Sequence, residues 1–310
     1  MKYGIISGLM WGLDTVVLGI ALATVPFIGT AEAVAFAAVA SAFLHDAFCA
    51  IWMFIFMGAQ HRLKDTVAAI KTHSGFIVML GALLGGPLGM TGYLVAINNI
   101  GPAYTAIISA FYPAFGALLS FIVLKEKLEI KQIISLFVAM GGVMTMGYIS
   151  SGQATMGNPI VGLLGAAVCV VGWGSEAVLC AWGMKDDLVD NETALQIRET
   201  TSALVYGLIV LPLYGAWTFT ASSIPTPATA IIVASALAGT ISYLSYYKGI
   251  SKIGASKCMA LNISYSCWAV VFGVILLGTI PSFIEVICCI VILVGTVLTA
   301  SDWNELFSRS

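Results

Sequence analysis

Residues 158–183 read NPIVGLLGAAVCVVGWGSEAVLCAWG, and residues 3–24 read YGIISGLMWGLDTVVLGIALAT. Each run exceeds the roughly 20 apolar residues that a helix needs to cross a bilayer. Each also holds one carboxylate, three residues after a tryptophan: Trp173-Gly174-Ser175-Glu176 and Trp11-Gly12-Leu13-Asp14. A carboxylate in hydrocarbon is costly, so such a residue is expected to face a cavity, a partner or a transport path. Two of them in matching contexts predict a duplicated membrane protein built around a polar centre.

The rest of the chain extends this reading. Apolar residues make up 60% of it and charged residues 9%, against about 25% charged in a soluble domain. Ten spans are expected, over 3–24, 32–57, 74–98, 102–124, 131–150, 158–183, 191–217, 227–249, 255–278 and 282–302. The fold class is therefore an all-α polytopic membrane protein. The first run exceeds the apolar core of a signal peptide and lacks a small-residue cleavage site, so it is expected to be retained.

Basic residues alternate from loop to loop. Arg62, Lys64 and Lys71 fall between spans two and three, and Lys125, Lys127 and Lys131 between four and five. Lys185 follows span six; Lys248, Lys252 and Lys257 surround the turn between eight and nine; Lys2 and Arg309 mark the ends. The intervening loops, around Pro26, Gly101, Ser151, Pro225 and Pro281, hold no Lys or Arg. By the positive-inside rule both termini are expected in the cytoplasm. Arg198, two turns into span seven, is the exception.

The halves are similar. Ile100-Gly101 matches Ile253-Gly254, and the same offset pairs Tyr93 with Tyr246, Tyr112 with Tyr265 and Phe115 with Trp268. The repeat unit holds five helices, giving residues 1–150 and 151–310 as two copies within one membrane domain. An odd number of spans places the second copy upside down, as in inverted-repeat transporters with a midplane site. Rows at every fourth residue, Gly4-Gly8-Gly12 and Gly81-Gly85-Gly89, predict close helix packing.

On span six, Trp173, Glu176 and Cys180 share a face; on span eight, Tyr243, Tyr246 and Tyr247 lie within an arc of about 100°. On span nine Tyr265 and Trp268 share a face with Asn262 at its edge, and span one brings Trp11 and Asp14. A carboxylate among electron-rich rings suits a quaternary ammonium ion, which has no N–H to donate but is attracted by aromatic faces. Glu176 is expected as its counter-charge; the structural alternative is an acid paired with Arg198. Asp14, His45 and Asp46 are proton-coupling candidates, although adjacent His45 and Asp46 point about 100° apart on a helix, which favours a packing role for them. Arg198-Glu199 is expected near the cytoplasmic side, as a stabilising or gating pair. Trp52, Trp217 and Trp303, near span ends, read as interfacial anchors.

The seven cysteines fall within spans, without C-x-x-C or other metal spacing, and read as packing residues. No phosphate-binding loop and no intramembrane H-E-x-x-H occur in the sequence, which argues against an ATP-driven motor and a membrane-embedded enzyme. No cofactor, metal or nucleic-acid partner is expected.

Several strings also resemble a known family: Pro87-Leu-Gly-Met90, Ala110-Phe-Tyr-Pro113, Trp173-Gly-Ser-Glu-Ala-Val-Leu179, Ile197-Arg198 followed by Thr200-Thr-Ser202, Ser242-Tyr-Leu-Ser-Tyr-Tyr247, and Ala260-Leu-Asn-Ile-Ser-Tyr265 with Trp268. With the five-plus-five plan, the chain resembles the drug/metabolite transporter superfamily (EamA-like), and within it the LicB-type bacterial choline importers. The resemblance implies a secondary transporter in the bacterial inner membrane, taking up choline by alternating access. It makes Trp11, Trp173, Glu176, Tyr243, Tyr246 and Trp268 the best site residues. Asp14 departs from the family pattern, where a neutral residue is expected. The competing expectation is a proton-coupled exporter of drugs or amino-acid metabolites on the same fold.

Overall fold

Polar residues mark the helix starts. Thr30 accepts the Ala33 N–H, Thr72 that of Gly75, Asn158 those of Ile160 and Val161, and Asp190 that of Thr193. Ser282 and Glu285 form a reciprocal capping box. Each cap satisfies orphan donors at a helix N-terminus. The computed structural model describes residues 1–150, 157–185 and 188–301. The expected loop around Ser151, and Trp303 and Arg309, lie outside the described residues.

Ten helical segments follow: α1 (Lys2–Leu22), α2 (Ala31–Ala59), α3 (His73–Gly101), α4 (Tyr104–Val123), α5 (Ile130–Ile149), α6 (Pro159–Gly183), α7 (191–214), α8 (Pro227–Ile253), α9 (Ala255–Leu277) and α10 (Phe283–Ala300). Among the described residues, nine of them, all but α7, are long and apolar enough to cross a membrane. Large apolar side chains cover the outside, with Val34 91% exposed and Leu213 80% exposed. Such a surface is stable against lipid and not against water. The chain is a polytopic α-helical membrane protein.

Three details differ from the expected spans. Helix α7 supplies roughly 36 Å of helix at 1.5 Å per residue, but its first half holds Glu192, Gln196, Arg198 and Glu199. Gly215, in the left-handed region, ends it. Two short helices, Leu63–Ala69 and Trp217–Ser223, were not expected. The first sits in a basic loop where Arg62 donates to Asp65, Asp190 and Glu192.

Packing respects the sequence pairing. Helix α1 lies against α8 and α9, and α6 lies against α3 and α4; α2 meets α8, α7 meets α3, and α5 meets α10. Exchanging the first five helices with the last five converts each pair into another of the set, and α5–α10 into itself. Gly101 (φ 80, ψ 163) and Gly254 (φ 88, ψ 161) share one backbone conformation, a region that only glycine enters without strain. The contacts repeat too. A Cβ at Gly12 would lie 2.8 Å from Tyr265 O and 2.9 Å from Ala269 N; at Gly174 it would lie 2.8 Å from Tyr112 O and 3.0 Å from Gly116 N.

Two π-helical stretches loosen the frame near the centre, Leu84–Met90 and Tyr206–Val210. Pro87 lies inside the first, and Pro212 follows the second. A proline removes a backbone donor and clashes with the preceding turn, and a wider turn absorbs both effects.

Candidate functional site: a buried charge network beside an aromatic cavity

The glycine row on α3 builds one wall of the site. Gly81 packs on Leu179 and Cys180, Gly85 on Glu176, and Gly89 on the Trp173 ring. A Cβ at Gly85 would overlap the Glu176 carboxylate, and one at Gly89 would lie 2.9 Å from Trp173 Cδ1. Small residues on α3 thus make room for the polar face of α6. The same row that predicts tight packing also seats the Glu176 carboxylate.

Around Glu176 runs a continuous charged chain through α1, α2, α6, α7 and α8. Arg198 Nε donates to Glu176 Oε1 at 2.7 Å, Nη1 to Glu199 Oε2 at 2.9 Å, and Nη2 to the Tyr243 hydroxyl at 3.0 Å. Its guanidinium also lies 4.5 Å from the Tyr243 ring centroid. Asp46 is 3.7 Å from Nη1 and accepts from Ser202. Asp46 in turn faces His45 Nδ1 at 3.5 Å, while His45 Nε2 faces both Asp14 oxygens at 3.1 Å. Ser235 donates to Asp14. An imidazole with a carboxylate at each nitrogen donates to both only when doubly protonated. The sum is unbalanced: four acids (Asp14, Asp46, Glu176, Glu199) meet Arg198 and at most one charge on His45.

Next to this network lies a cavity of about 510 Å³. Its aromatic walls are Tyr93, Tyr112, Trp173 and Tyr265, with Thr15, Ser109, Ser266 and Thr279 adding hydroxyls. Trp173 is the hub: its centroid is 5.3 Å from that of Tyr93 and 5.8 Å from that of Tyr112, which stands perpendicular to it. Among the described residues, Glu285, at the start of α10, is the one charged residue in the lining, and no basic side chain borders the space. Trp173 sits one helical turn before Glu176 on α6, so the cavity wall and the charge network are neighbours on that helix, although none of the network side chains is in the lining.

Residues 1–148 and again 160–301 match the EamA-like transporter family. The chain belongs to that family. Protein LicB of Haemophilus influenzae is 29% identical over 220 residues, covering 71% of this chain and 73% of the relative. A protein named Uncharacterized transporter YyaM, of Bacillus subtilis, is 29% identical over 231 residues, covering 70% and 71%. A crystal structure at 16% identity superposes with a TM-score of 0.74 over 99% of this chain and 98% of that one. At that identity the likeness speaks for the fold. Family and relatives make this protein a membrane transporter of a small molecule.

In this EamA-like transporter the predicted residues divide into two groups. Trp173 and Tyr265 line the cavity. Tyr243 is held by Arg198, and Trp11 stands edge-on to Tyr243 at 4.9 Å. Tyr247 is buried with its hydroxyl 3.1 Å from Cys180 Sγ, and Tyr246 packs against it at 6.2 Å. Asn262 donates to Ser7 at 2.8 Å and faces the Tyr112 hydroxyl at 3.5 Å. Trp268 packs its Cβ toward Gly12, and its indole N–H is buried without a partner among the described residues. Asp14, His45 and Asp46 form one hydrogen-bonded run, each of the adjacent pair turning to its own partner. Arg198 is only 3% exposed and ties α7 to α6 through Glu176, to α2 through Asp46 and to α8 through Tyr243.

Tyr93 and Tyr112 are aromatic residues of the cavity lining that the sequence reading did not select. Their signal was present, since they are the repeat partners of Tyr246 and Tyr265.

Proposed function

We propose that this transporter imports a quaternary ammonium ion, choline by the family resemblance, through alternating access of two inverted five-helix halves. The observation that carries the reading is the cavity of Tyr93, Tyr112, Trp173 and Tyr265 set one turn from Glu176. A quaternary ammonium offers no hydrogen-bond donor, so ring faces hold it, by up to about 2 kcal/mol each when desolvated. The neighbouring network supplies net negative charge that Arg198 alone does not cancel. The absence of a basic residue from the lining suits a cation and disfavours an anion.

The membrane potential is a sufficient drive. A monovalent cation entering a negative interior gains about 2.3 kcal/mol per 100 mV, somewhat under two orders of magnitude of accumulation. A proton bound at Glu176 would neutralise the counter-charge, so one acid used by both gives exchange. Asp14, with His45 and Asp46 behind it, is the separate group that symport would need. The basic-loop pattern supports ten crossings with both termini in the cytoplasm of a bacterial inner membrane, and the paired contacts of Gly12 and Gly174 support the repeat.

The Asp14–His45–Asp46–Arg198 chain favours one other reading, a proton-coupled exporter of drugs or amino-acid metabolites. A ligand panel separates substrate classes. A ligand that binds the folded state stabilises it by mass action, so thermal unfolding of purified protein is followed with choline, its less methylated analogues and primary amines. Stabilisation that rises with N-methylation supports the cage. Equal stabilisation by primary amines, or none by any quaternary amine, counts against it.

A further inference from the structure

Glu199 is the most enclosed carboxylate in the network, with no exposed surface. Its Oε2 accepts from Arg198 at 2.9 Å, but Oε1 is buried with no hydrogen-bond partner among the described residues. An ionised carboxylate carries charge on both oxygens, and leaving one of them buried without a donor costs far more than leaving a neutral hydroxyl there.

A second observation on the same helix points the same way. Gln196, three residues earlier, donates its amide N–H to Thr200 Oγ1 at 2.8 Å, and its own Oε1 is also buried without a donor. Residues at i and i+3 are helix neighbours, with Cβ atoms about 5–6 Å apart. In this orientation two bare acceptors cannot satisfy each other, and a proton on Glu199 turns one of them into a donor. With the Gln196 amide turned over, Thr200 would donate to its oxygen and its N–H would face an ionised Glu199; the infrared test below tells the two arrangements apart.

The surroundings leave few other remedies. Facing Glu199 are Arg198 on its own helix, His45, Asp46 and Cys49 on α2, Glu176 on α6 and Tyr243 on α8. Arg198 is already shared with Glu176 at 2.7 Å and Asp46 at 3.7 Å. Asp14 and Asp46, by contrast, have partners for both oxygens: His45 and Ser235 for the first, His45 and Ser202 for the second.

We propose that Glu199 is a proton-binding site, its proton directed toward the Gln196 amide oxygen so that the carboxyl stays neutral beside Arg198. With Glu199 neutral, Asp14, Asp46 and Glu176 face Arg198 and a protonated His45, and one negative charge remains. One monovalent cation balances it. That consequence for transport rests on the cation reading above; the proton site stands on the two orphaned oxygens.

The test needs no substrate, so its outcome is independent of the choline reading. Infrared spectra of the purified protein at neutral pH are compared for the native chain and E199Q, following the carbonyl band of a protonated carboxyl. Gln keeps an oxygen for Arg198 and presents an N–H toward Gln196, so E199Q is expected to fold and to lose that band. In the native chain the same component disappears as the pH is raised. A spectrum left unchanged by E199Q would overturn the proposal, as would E199Q protein that cannot fold, because an ionised Glu199 would then be what the site requires.

Discussion

Arg198 grips Glu176 through one contact, Nε to Oε1 at 2.7 Å, while the rest of the guanidinium is divided between Glu199 and Tyr243. A cation shared among several acids positions each of them without cancelling the charge of any one. Glu176 is therefore anchored to α7 while it lies one helical turn from Trp173 in the cavity wall. The ion pair is the structural alternative read from the sequence, and the counter-charge role is what the proposed function adds to it.

Glu176→Gln is expected to weaken choline binding by about 10-fold or more, because it removes a unit counter-charge whose Coulomb attraction for the cation is worth roughly 2–4 kcal/mol at an effective dielectric of about 20. Isothermal titration of the purified variant checks this. Unchanged affinity in Glu176→Gln would remove the carboxylate from the site.

Ring faces, not hydroxyls, should hold the ligand. Tyr112→Leu is expected to reduce affinity by about 0.5–2 kcal/mol, the range of one cation–π contact. Tyr112→Phe keeps the face and loses only the 3.5 Å contact to Asn262, so its loss should be smaller. Tyr93→Leu and Tyr93→Phe should repeat the pattern. Equal losses for the Leu and Phe forms would mean that the hydroxyls carry recognition.

Gly85→Ala places a methyl group on the Glu176 carboxylate and should depress transport sharply with little change in expression. Gly141 is the control, because a Cβ there meets nothing within 4 Å. Gly141→Ala should be neutral or stabilising by up to about 1 kcal/mol, from helix propensity alone. Uptake assays on both variants, alongside thermal melts, distinguish a displaced carboxylate from a general packing fault.

Asp14 lies at the far end of the chain, separated from Glu176 by His45, Asp46 and Arg198. Asp14→Asn is expected to spare choline binding and to change the pH profile of transport. Binding measured at neutral pH together with uptake across a pH series tests this. Loss of binding would place Asp14 in the substrate site instead, and an unaltered profile would remove it from proton coupling.

All ten helical segments were expected from the sequence, and nine of them are runs nearly free of charge, flanked by basic or turn-rich loops. Helix α7 blurs that signal, since Arg198 and Glu199 are buried among groups on α2, α6 and α8, while half-buried Glu192 pairs with Arg62. The short helices over Leu63–Ala69 and Trp217–Ser223 are too brief for periodicity to register. Trp173, Glu176 and Tyr265 could be picked out by helical spacing and matching contexts, because both signals are local. The link from Asp14 to His45, or from Ser202 to Asp46, joins distant helices and leaves no trace in spacing. Tyr93 and Tyr112 lay between these cases, visible as repeat partners of residues already chosen. Their placement in the cavity became apparent only once α3 and α4 were seen to close on α6.

The central claim is inward transport of a quaternary cation. Its most direct test is uptake of labelled choline by proteoliposomes under an imposed inside-negative potential. The account predicts accumulation that grows with the potential, by somewhat under two orders of magnitude per 100 mV at most, and that is lost in Glu176→Gln. No potential-driven uptake of choline, together with proton-driven loss of another solute from the same vesicles, would contradict it.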